Sequence, residues 1–334
     1  MNILITGNNG YIGPILYREL KKKSFFVRGL DTNYYTNKNY SDYQYNVDIR
    51  SAKKIIFKDI DVVIHLASLS NDPLGKQFNN PTEQINVKAS KKIIDFAKSS
   101  GCKIFLFASS CSVYGKNEKN DRNEKDKTNP LTAYAKSKVL IEKYLKKKSS
   151  KNFRSICLRF ATACGASPNL RLDLVLNDFI SSAIIYNKII LNSSGNAWRP
   201  LIDVKDMSKA IIYFMENFEK MKNYNEIFNV GDNLLNIKII ELAKKVKNKI
   251  KNTKIEIVNF KDDKRSYRVD FSKYQKLIKK KYFHLSLEKS IENLIKNIKL
   301  LKINKKNKKN FNRLNVLQKL IVKKKINANL RWNF

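Results

Sequence analysis

The sequence contains little of what membrane-spanning, secreted or metal-binding proteins are made from. It has no run of about 18 apolar residues, so we expect no membrane-spanning helix. Residues 1–13 are predicted to form a strand and a turn. They lack the basic segment followed by an apolar stretch that a signal peptide has, so we expect no signal peptide. The four cysteines lack the paired spacing of metal sites. Free thiols in a cytoplasmic protein are therefore the expectation.

Histidines and acidic residues are scarce as well. His65, at a predicted strand end, and His284 are interpreted as a structural and a surface residue. Asp72, Glu83 and Asp95 do not form the cluster that a metal site needs, so we predict no bound metal. The chain carries 29 acidic against 67 basic residues, which gives a formal net charge of +38.

This positive charge raises the hypothesis of nucleic-acid binding, which we do not favour. Most of it comes from lysines scattered among Asn and Ile along the whole chain, a pattern that indicates compositional bias. No RNP, helix-turn-helix or zinc-finger pattern accompanies it. We therefore expect neither a nucleic-acid nor a membrane partner, although the charge suits anionic substrates such as nucleoside diphosphates.

Short apolar segments alternate with helical patterns through the first half of the chain. The predicted strands lie at residues 2–6, 25–30, 61–65, 103–108 and 153–160. This alternation predicts a Rossmann-type α/β fold, with a doubly wound parallel sheet, over residues 1–165. A polar loop is predicted at residues 116–130, and residues 166–301 follow a looser pattern that interleaves with the sheet.

The last segment, residues 302–334, is rich in Lys and Asn but carries an apolar stripe. Phe311, Leu314, Leu317, Leu320 and Ile321 fall on one helical face. A basic amphipathic helix docked on the protein is the favoured interpretation, and a nucleic-acid-binding helix is the alternative.

A glycine-rich turn, G-x-x-G-x-x-G, joins the first strand to the first helix. Its members Gly7, Gly10 and Gly13 allow, in that order, a tight turn, close approach of a pyrophosphate and close packing of helix on strand. The N–H groups at the helix N-terminus favour the same phosphates. Asp31 ends the second strand, where a carboxylate bonds ribose hydroxyls and repels a 2′-phosphate. These features predict NAD as the cofactor, since Arg28 lies too far back along the strand to reach the ribose.

A further cofactor contact is predicted where the chain leaves a short strand. Asp48 and Ile49 lie where they could address the adenine ring. Alternatively, Asp48 is the N-cap of a helix that begins near Ser51. The sequence leaves both interpretations open.

Tyr134 and Lys138 form a Tyr-x-x-x-Lys pair on a predicted helix. Residues four apart share a helix face, so the phenol and the ammonium can meet the same ligand. The ammonium, joined by a positive nicotinamide ring, would lower the pKa of the tyrosine from about 10 toward values useful to a base. Ser109, Ser110 and Ser112 follow an apolar strand, at the end where such sheets bind ligands. A hydroxyl there can hold the substrate oxygen, although ordinary strand-end bonding is the alternative.

Together these motifs resemble the extended short-chain dehydrogenase/reductase superfamily, and within it the NAD-dependent epimerase/dehydratase family. The resemblance runs from residue 1 to about residue 283 and includes His-Leu-Ala-Ser at 65–68 and Asn-Val at 86–87. It also includes an Arg-x-x-Ile-x-Val-x-Asp segment from Arg199 to Asp206. The family implies that residues 166–301 mainly bind substrate, and that a homodimer forms through the helices near 82–100 and 131–148.

The resemblance also implies roles for individual residues. The catalytic residues are Ser110, Tyr134 and Lys138, with Ser109 and Ser112 as substitutes for Ser110. The implied cofactor-binding residues are Gly7, Gly10, Tyr11, Ile12, Gly13, Asp31, Asp48, Ile49, Leu66, Ala67, Asn86, Tyr134 and Lys138. The implied substrate-binding residues are Thr162, Asn177, Arg199 and Arg265, with Arg199 on the diphosphate of a nucleotide sugar. Arg265 and Arg268 are each either a late phosphate contact or a solvated surface charge.

Two departures from the family pattern bear on the reaction. Cys111 and Ser112 stand where 4,6-dehydratases of the family carry Asp-Glu, so dehydration is disfavoured. Thr162 stands where many 4-epimerases of UDP-sugars carry Asn, which leaves the nucleotide open. We expect an epimerase that acts through a transient keto-sugar. The alternatives are a 4-keto-sugar reductase or dehydrogenase on the same scaffold, and a non-catalytic dinucleotide-sensing or RNA-binding relative.

Overall fold

A computed structural model describes residues 1–260, 265–278 and 285–333 of the chain, so His284 lies outside the described residues. The strands are β1 (Asn2–Thr6), β2 (Phe26–Asp31), β3 (Tyr43–Asn46), β4 (Val62–His65), β5 (Ile104–Ser110), β6 (Asn117–Arg122), β7 (Arg154–Phe160), β8 (Thr162–Cys164), β9 (Lys188–Leu191), β10 (Trp198–Asp203), β11 (Asn225–Val230), β12 (Asn236–Lys238), β13 (Lys254–Ile257) and β14 (Tyr267–Val269). The helices are α1 (Gly13–Lys22), α2 (Asp72–Gln77), α3 (Asn79–Glu83), α4 (Ser90–Ser99), α5 (Ala133–Lys148), α6 (Val175–Tyr186), α7 (Val204–Glu216), α8 (Ile239–Lys249), α9 (Ser272–Leu277), α10 (Leu287–Leu300) and α11 (Arg313–Val322).

Seven parallel strands form the central sheet, in the order β11-β7-β5-β4-β1-β2-β3. The strand order reverses between β1 and β4, which is where open α/β sheets bind their ligands. The predicted Rossmann-type fold is therefore confirmed. Strand β11 joins the sheet although it lies beyond residue 165, so the later part of the chain interleaves with the sheet.

Helices cover both faces of the sheet because successive residues of each strand point to opposite sides. Ile3 and Ile5 of β1 belong to one core, with Leu16 of α1 and Ile211 of α7. Leu4 belongs to the opposite core, with residues of α4 and α5. Burial on both sides explains why β1, β4 and β5 read as almost continuous apolar runs.

The later part of the chain adds small sheets beside the carboxyl ends of the main strands. They are β12-β10-β8, β13-β9 and β14-β6. The last of these corrects the predicted loop at residues 116–130, because residues 117–122 form a strand paired in parallel with β14. This strand has no apolar alternation of its own and depends on a partner some 150 positions away in sequence, so local periodicity gives no sign of it.

The chain ends in a docked segment that includes α11. Leu317, Ile326 and Leu330 are fully buried in the same core as Leu4. The four thiols are free and buried. Within the described residues, no helix is both long and apolar enough to cross a bilayer.

Candidate active site

A cavity of about 730 Å³ lies at the carboxyl ends of β1, β2, β4 and β5. Most of the predicted site residues line it: Gly7, Gly10, Tyr11, Ile12, Asp31, Asp48, Ile49, Leu66, Ala67, Ser110, Tyr134, Lys138, Thr162, Arg199 and Arg265. Gly13, Asn86 and Asn177 are not among its lining residues. The sheet therefore brings the three separate sequence motifs to one place.

The glycine-rich turn forms one wall of the cavity. Gly7 has φ +75°, and a Cβ there would come within 2.7 Å of the backbone of Ala67. At Gly13 a Cβ would collide with the carbonyl of Asn8, at 1.9 Å, so this glycine packs α1 against the turn. The wall is thus free of side chains at Gly7 and Gly10, which fits a dinucleotide phosphate lying against the main chain.

Asp31 and Asp48 lie at the same end of the cavity. The Asp31 carboxylate accepts hydrogen bonds from the N–H groups of Asn9, at 3.0 Å, and Asn33, at 2.8 Å. Burial raises the pKa of this carboxyl. Asp48 lines the cavity, caps the short helix Ile49–Ser51 and pairs with Arg50 at 2.6 Å, so the capping interpretation accounts for its carboxylate. Arg28 donates to the carbonyl of Lys58 and does not line the cavity.

Ser110, Tyr134 and Lys138 meet on the floor of the cavity. Ser110 ends β5, and Tyr134 lies in the first turn of α5, whose N-cap is Thr132. Tyr134 and Ser110 both line the cavity, and the Ser110 side chain is one of the groups that lower the pKa of Tyr134. The Lys138 ammonium donates to the carbonyl of Ala108 at 2.8 Å and lies 5.3 Å from the centre of the Tyr134 ring.

Burial dominates the ionisation of this pair. It raises the pKa of Tyr134 to about 12, against smaller lowering effects from Arg171 and the Ser110 side chain. It lowers the pKa of Lys138 to about 7. Lys138 alone therefore does not produce the lowered tyrosine pKa that the sequence predicts, because its charge is itself desolvated and directed at a backbone carbonyl.

The two substitute serines differ in their surroundings. The Ser109 hydroxyl donates to Glu142 at 2.5 Å, so it belongs to a buried structural network. The Ser112 hydroxyl is buried and, within the described part of the chain, has no hydrogen-bond partner; Ser112 lines the cavity. His65 bonds Thr6 and Ser90, and burial lowers its pKa to about 3, which leaves it neutral.

Two of the predicted site residues, Asn177 and Asn86, use their side-chain amides within the protein. Asn177 is fully buried and bonds the backbone of Gly165 and Arg171 and the Tyr11 hydroxyl. Asn86 is buried and bonds both backbone groups of Leu69. Their polar groups are engaged by the main chain under the cavity wall, so both hold loops in place instead of facing a ligand.

The expected substrate residues lie on the side of the cavity built by the later part of the chain. Arg199 stacks over the Tyr267 ring at 5.5 Å, and Tyr267 and Thr162 both line the cavity. Arg265 pairs with Asp72 at 2.9 Å. Arg268 instead pairs with Asp121 and does not line the cavity.

Comparison with known proteins agrees with this architecture. The model of the NAD dependent epimerase/dehydratase family matches residues 3–231. The chain belongs to this family. Its cofactor is accordingly NAD.

Individual members of the family show how far the similarity extends. A putative UDP-glucose 4-epimerase of Methanocaldococcus jannaschii is 30% identical over 69% of this chain and 76% of its own length. A dTDP-D-glucose 4,6-dehydratase of Mus musculus is 24% identical over 76% of this chain and 74% of its own. The structure of a UDP-N-acetylglucosamine 4-epimerase from Methanobrevibacter ruminantium M1 superposes with a TM-score of 0.77 and 25% identity, over 90% of this chain and 98% of that one. Family membership therefore leaves both reaction types open.

The family motifs do not account for every charge in the cavity. Arg171 is buried, pairs with Asp173 at 2.7 Å and bonds the Ser70 hydroxyl. Arg313, at the start of α11, also lines the cavity, although it lies beyond the matched residues 3–231. No sequence spacing relates either arginine to the catalytic motifs, so sequence reasoning missed both.

Proposed function

We propose that this protein is an NAD-dependent nucleotide-sugar 4-epimerase that acts through a transient keto-sugar. One observation carries the proposal. Ser110, Tyr134 and Lys138 share a single cavity with the glycine-rich turn and with Arg199, and the Lys138 ammonium lies beside the Tyr134 ring. A proton acceptor, a dinucleotide site and a diphosphate-binding cation are thus within reach of one extended ligand.

The chain's own residues would handle the proton and the orientation of the sugar. Tyr134 accepts the proton of the sugar hydroxyl, and Ser110 bonds the same oxygen. Lys138 lies 5.3 Å from the centre of the Tyr134 ring and would bond the nicotinamide ribose. NAD, when bound beside these residues, would supply the hydride chemistry, and its positive ring would favour the Tyr134 phenolate that burial alone disfavours.

The opposite side of the cavity suits the diphosphate and the base of the substrate. The planar guanidinium of Arg199 can donate two parallel hydrogen bonds to phosphate oxygens. Arg265 adds a second cation, and Thr162 and Tyr267 line the same cavity. We assign these four residues to the nucleotide portion of the substrate.

The residues around Ser110 favour epimerisation over dehydration. Cys111, at the position of a dehydratase acid, is fully buried and bonds the carbonyl of Arg159. Two nearby carboxylates of the cavity, Asp72 and Asp173, are paired with Arg265 and Arg171. Pairing with Arg171 lowers the pKa of Asp173 against the raising effect of burial, so this carboxylate is a poor proton donor for the elimination of water at neutral pH.

The proposal is tested with a panel of UDP-, GDP-, CDP- and dTDP-sugars. We expect one of them to change configuration at a single carbon, with no added cofactor and no net reduction of NAD. Stoichiometric consumption of cofactor would instead indicate the reductase or dehydrogenase alternative, and a 4-keto-6-deoxy product would indicate a dehydratase.

The oligomeric state stays a prediction. The helices near residues 82–100 and 131–148 lie side by side, and Tyr144 bonds Asp95 between them at 2.7 Å. Leu140 of α5 is exposed, as a homodimer interface on these helices would require. Light scattering of the purified protein will show whether the mass is that of one chain or two.

A further inference from the structure

The segment that follows α10, residues 302–333, is named here the C-terminal strap. It crosses the segment that directly follows β2, at residues 32–35. The indole N–H of Trp332 donates to the carbonyl of Thr32 at 2.7 Å, and Tyr34 donates to the carbonyl of Leu330. Arg50 donates to the carbonyls of Asn329 and Leu330, both at 2.7 Å. The strap is therefore attached to the dinucleotide half of the cavity.

One cationic side chain of the strap faces that half. Arg313 is only 5% exposed, lines the cavity and stacks over the Tyr35 ring at 3.9 Å. Its one hydrogen bond within the described residues is a long one, 3.4 Å, to the carbonyl of Asn169. A guanidinium has five N–H donors, so most of its donors lack a protein partner.

Other buried arginines of the chain differ from Arg313 in this respect. Arg159 pairs with Glu142, and Arg171 pairs with Asp173, each at 2.7 Å. No carboxylate of the described residues forms an ion pair with Arg313, and burial lowers the pKa of Arg313 to about 10. A buried cation without an ion pair is unfavourable, which indicates that an anion enters the cavity beside it.

The position of Arg313 identifies this anion. The Tyr35 ring under Arg313 lines the cavity and follows the end of β2 by four residues, beside Asp31, the ribose-binding candidate. Asn169, which accepts the hydrogen bond of Arg313, donates in turn to the carbonyl of Asn9 in the glycine-rich turn at 2.5 Å. Both contacts lie at the dinucleotide end of the cavity. The anion that reaches this end is a phosphate group of the dinucleotide.

We propose that Arg313 binds a phosphate of the dinucleotide and so joins the cofactor to the C-terminal strap. This inference rests on the proposed function, because it takes the cavity as the NAD site. By linkage, the bound cofactor stabilises the docked strap, and the docked strap slows the release of the cofactor.

Release of NAD from the purified protein tests the inference. We expect Arg313→Gln to lose NAD about tenfold faster than the wild type on dilution and desalting, as measured by extraction and chromatography. The control is Arg154→Gln, since Arg154 also lies over a tyrosine ring and bonds carbonyls, but at the amino end of β7 and outside the cavity lining. Equal retention by Arg313→Gln and the wild type would overturn the inference.

Thermal shifts on NAD-free protein separate phosphate binding from a structural role. Without nucleotide, we expect Arg313→Gln and Arg313→Met to melt no lower than the wild type. We expect ADP to raise the melting temperature of both variants less than it raises that of the wild type, and adenosine to raise all three equally. A lower melting temperature without nucleotide, or a weaker response to UDP instead of ADP, would contradict the inference. If the wild type retains no NAD and responds to no adenine nucleotide, the proposed function fails instead.

Discussion

At the scale of single residues, the pKa values of the proposed catalytic pair, Tyr134 and Lys138, are shifted in opposite directions. Burial raises the pKa of Tyr134 to about 12 and lowers that of Lys138 to about 7, so near neutral pH Tyr134 is neutral and Lys138 is about half protonated. The charge of Arg171 and the Ser110 side chain both favour the phenolate. In the proposed mechanism the protein provides the geometry of the proton transfer, and bound NAD would provide the remaining positive charge.

Removal of the Tyr134 hydroxyl tests its role as proton acceptor. We expect Tyr134→Phe to reduce turnover by about 10²-fold or more, while retained NAD and nucleotide-sugar affinity stay near wild type. The control is Tyr144→Phe, on the same helix but bonded to Asp95 outside the cavity. Turnover that survives Tyr134→Phe would remove Tyr134 from the mechanism.

Lys138 makes the stability of the NAD-free protein depend on pH. Its pKa is about 7 in the folded protein and about 10.4 in an unfolded chain. Between these values the unfolded chain binds a proton that the folded protein does not, so stability rises with pH. We expect Lys138→Met to exceed the wild type in free energy of unfolding by a few kcal/mol at pH 7, with the difference shrinking toward pH 10. Urea titrations of both proteins measure it, and a difference that grows with pH would contradict the assignment.

The sequence predicts site residues well where a motif forces them together. Ser110, Tyr134 and Lys138 follow from a strand end and a helix spacing, and the structure places all three in one cavity. Asn177 shows where such prediction stops. A polar side chain near a pocket can bond either the backbone or a ligand, and only the tertiary structure determines which of the two it does. Arg313 lies far along the chain from the motifs, and its arrival at the cavity depends on tertiary docking that local patterns do not encode.

At the scale of elements, α5 is held in place by a buried ion pair. Glu142, one turn after Lys138, pairs with Arg159 of β7 at 2.7 Å, with both side chains about 5% exposed. Ser109 and Tyr114 complete the network. The helix that carries Tyr134 and Lys138 is therefore anchored to the sheet by polar contacts as well as by apolar packing.

Breaking this ion pair should be costly. We expect Glu142→Ala to lower the free energy of unfolding by about 3–5 kcal/mol, because it leaves the Arg159 cation buried and unpaired. Glu19→Ala, which removes a partly exposed pair with Lys22, should cost less than about 1 kcal/mol. Denaturant titrations compare the two. Similar losses for both would show that burial does not set the strength of the Glu142 pair.

The elements themselves could be predicted to different extents. Strands β1, β4 and β5 are buried on both faces, so their apolar runs identify them from sequence alone. Strand β6 could not be found because its partner, β14, follows much later in the chain and supplies the pairing. Strands and helices with their own hydrophobic periodicity can be predicted from sequence. A strand that forms only because a distant strand pairs with it cannot.

At the scale of the whole molecule, the charge of +38 acts against the compact state. Salt shortens the range of this repulsion, to about 10 Å at 0.1 M. We therefore expect the melting temperature to rise between 0.05 and 0.5 M NaCl, by about 2–4 °C for each kcal/mol of repulsion relieved. Scanning calorimetry over this range measures the effect. A steady fall with salt would mean that attractive surface pairs dominate instead.

The most direct test of epimerisation follows a label on the reacting carbon. A substrate identified from the nucleotide-sugar panel is prepared with deuterium at carbon 4 and incubated with the purified protein. Epimerisation through a keto-sugar predicts that the product has inverted configuration at carbon 4 and still carries the deuterium there, with the bound NAD unchanged at the end. Loss of the deuterium to solvent or to free NADH, or its recovery at carbon 6, would contradict the proposed reaction.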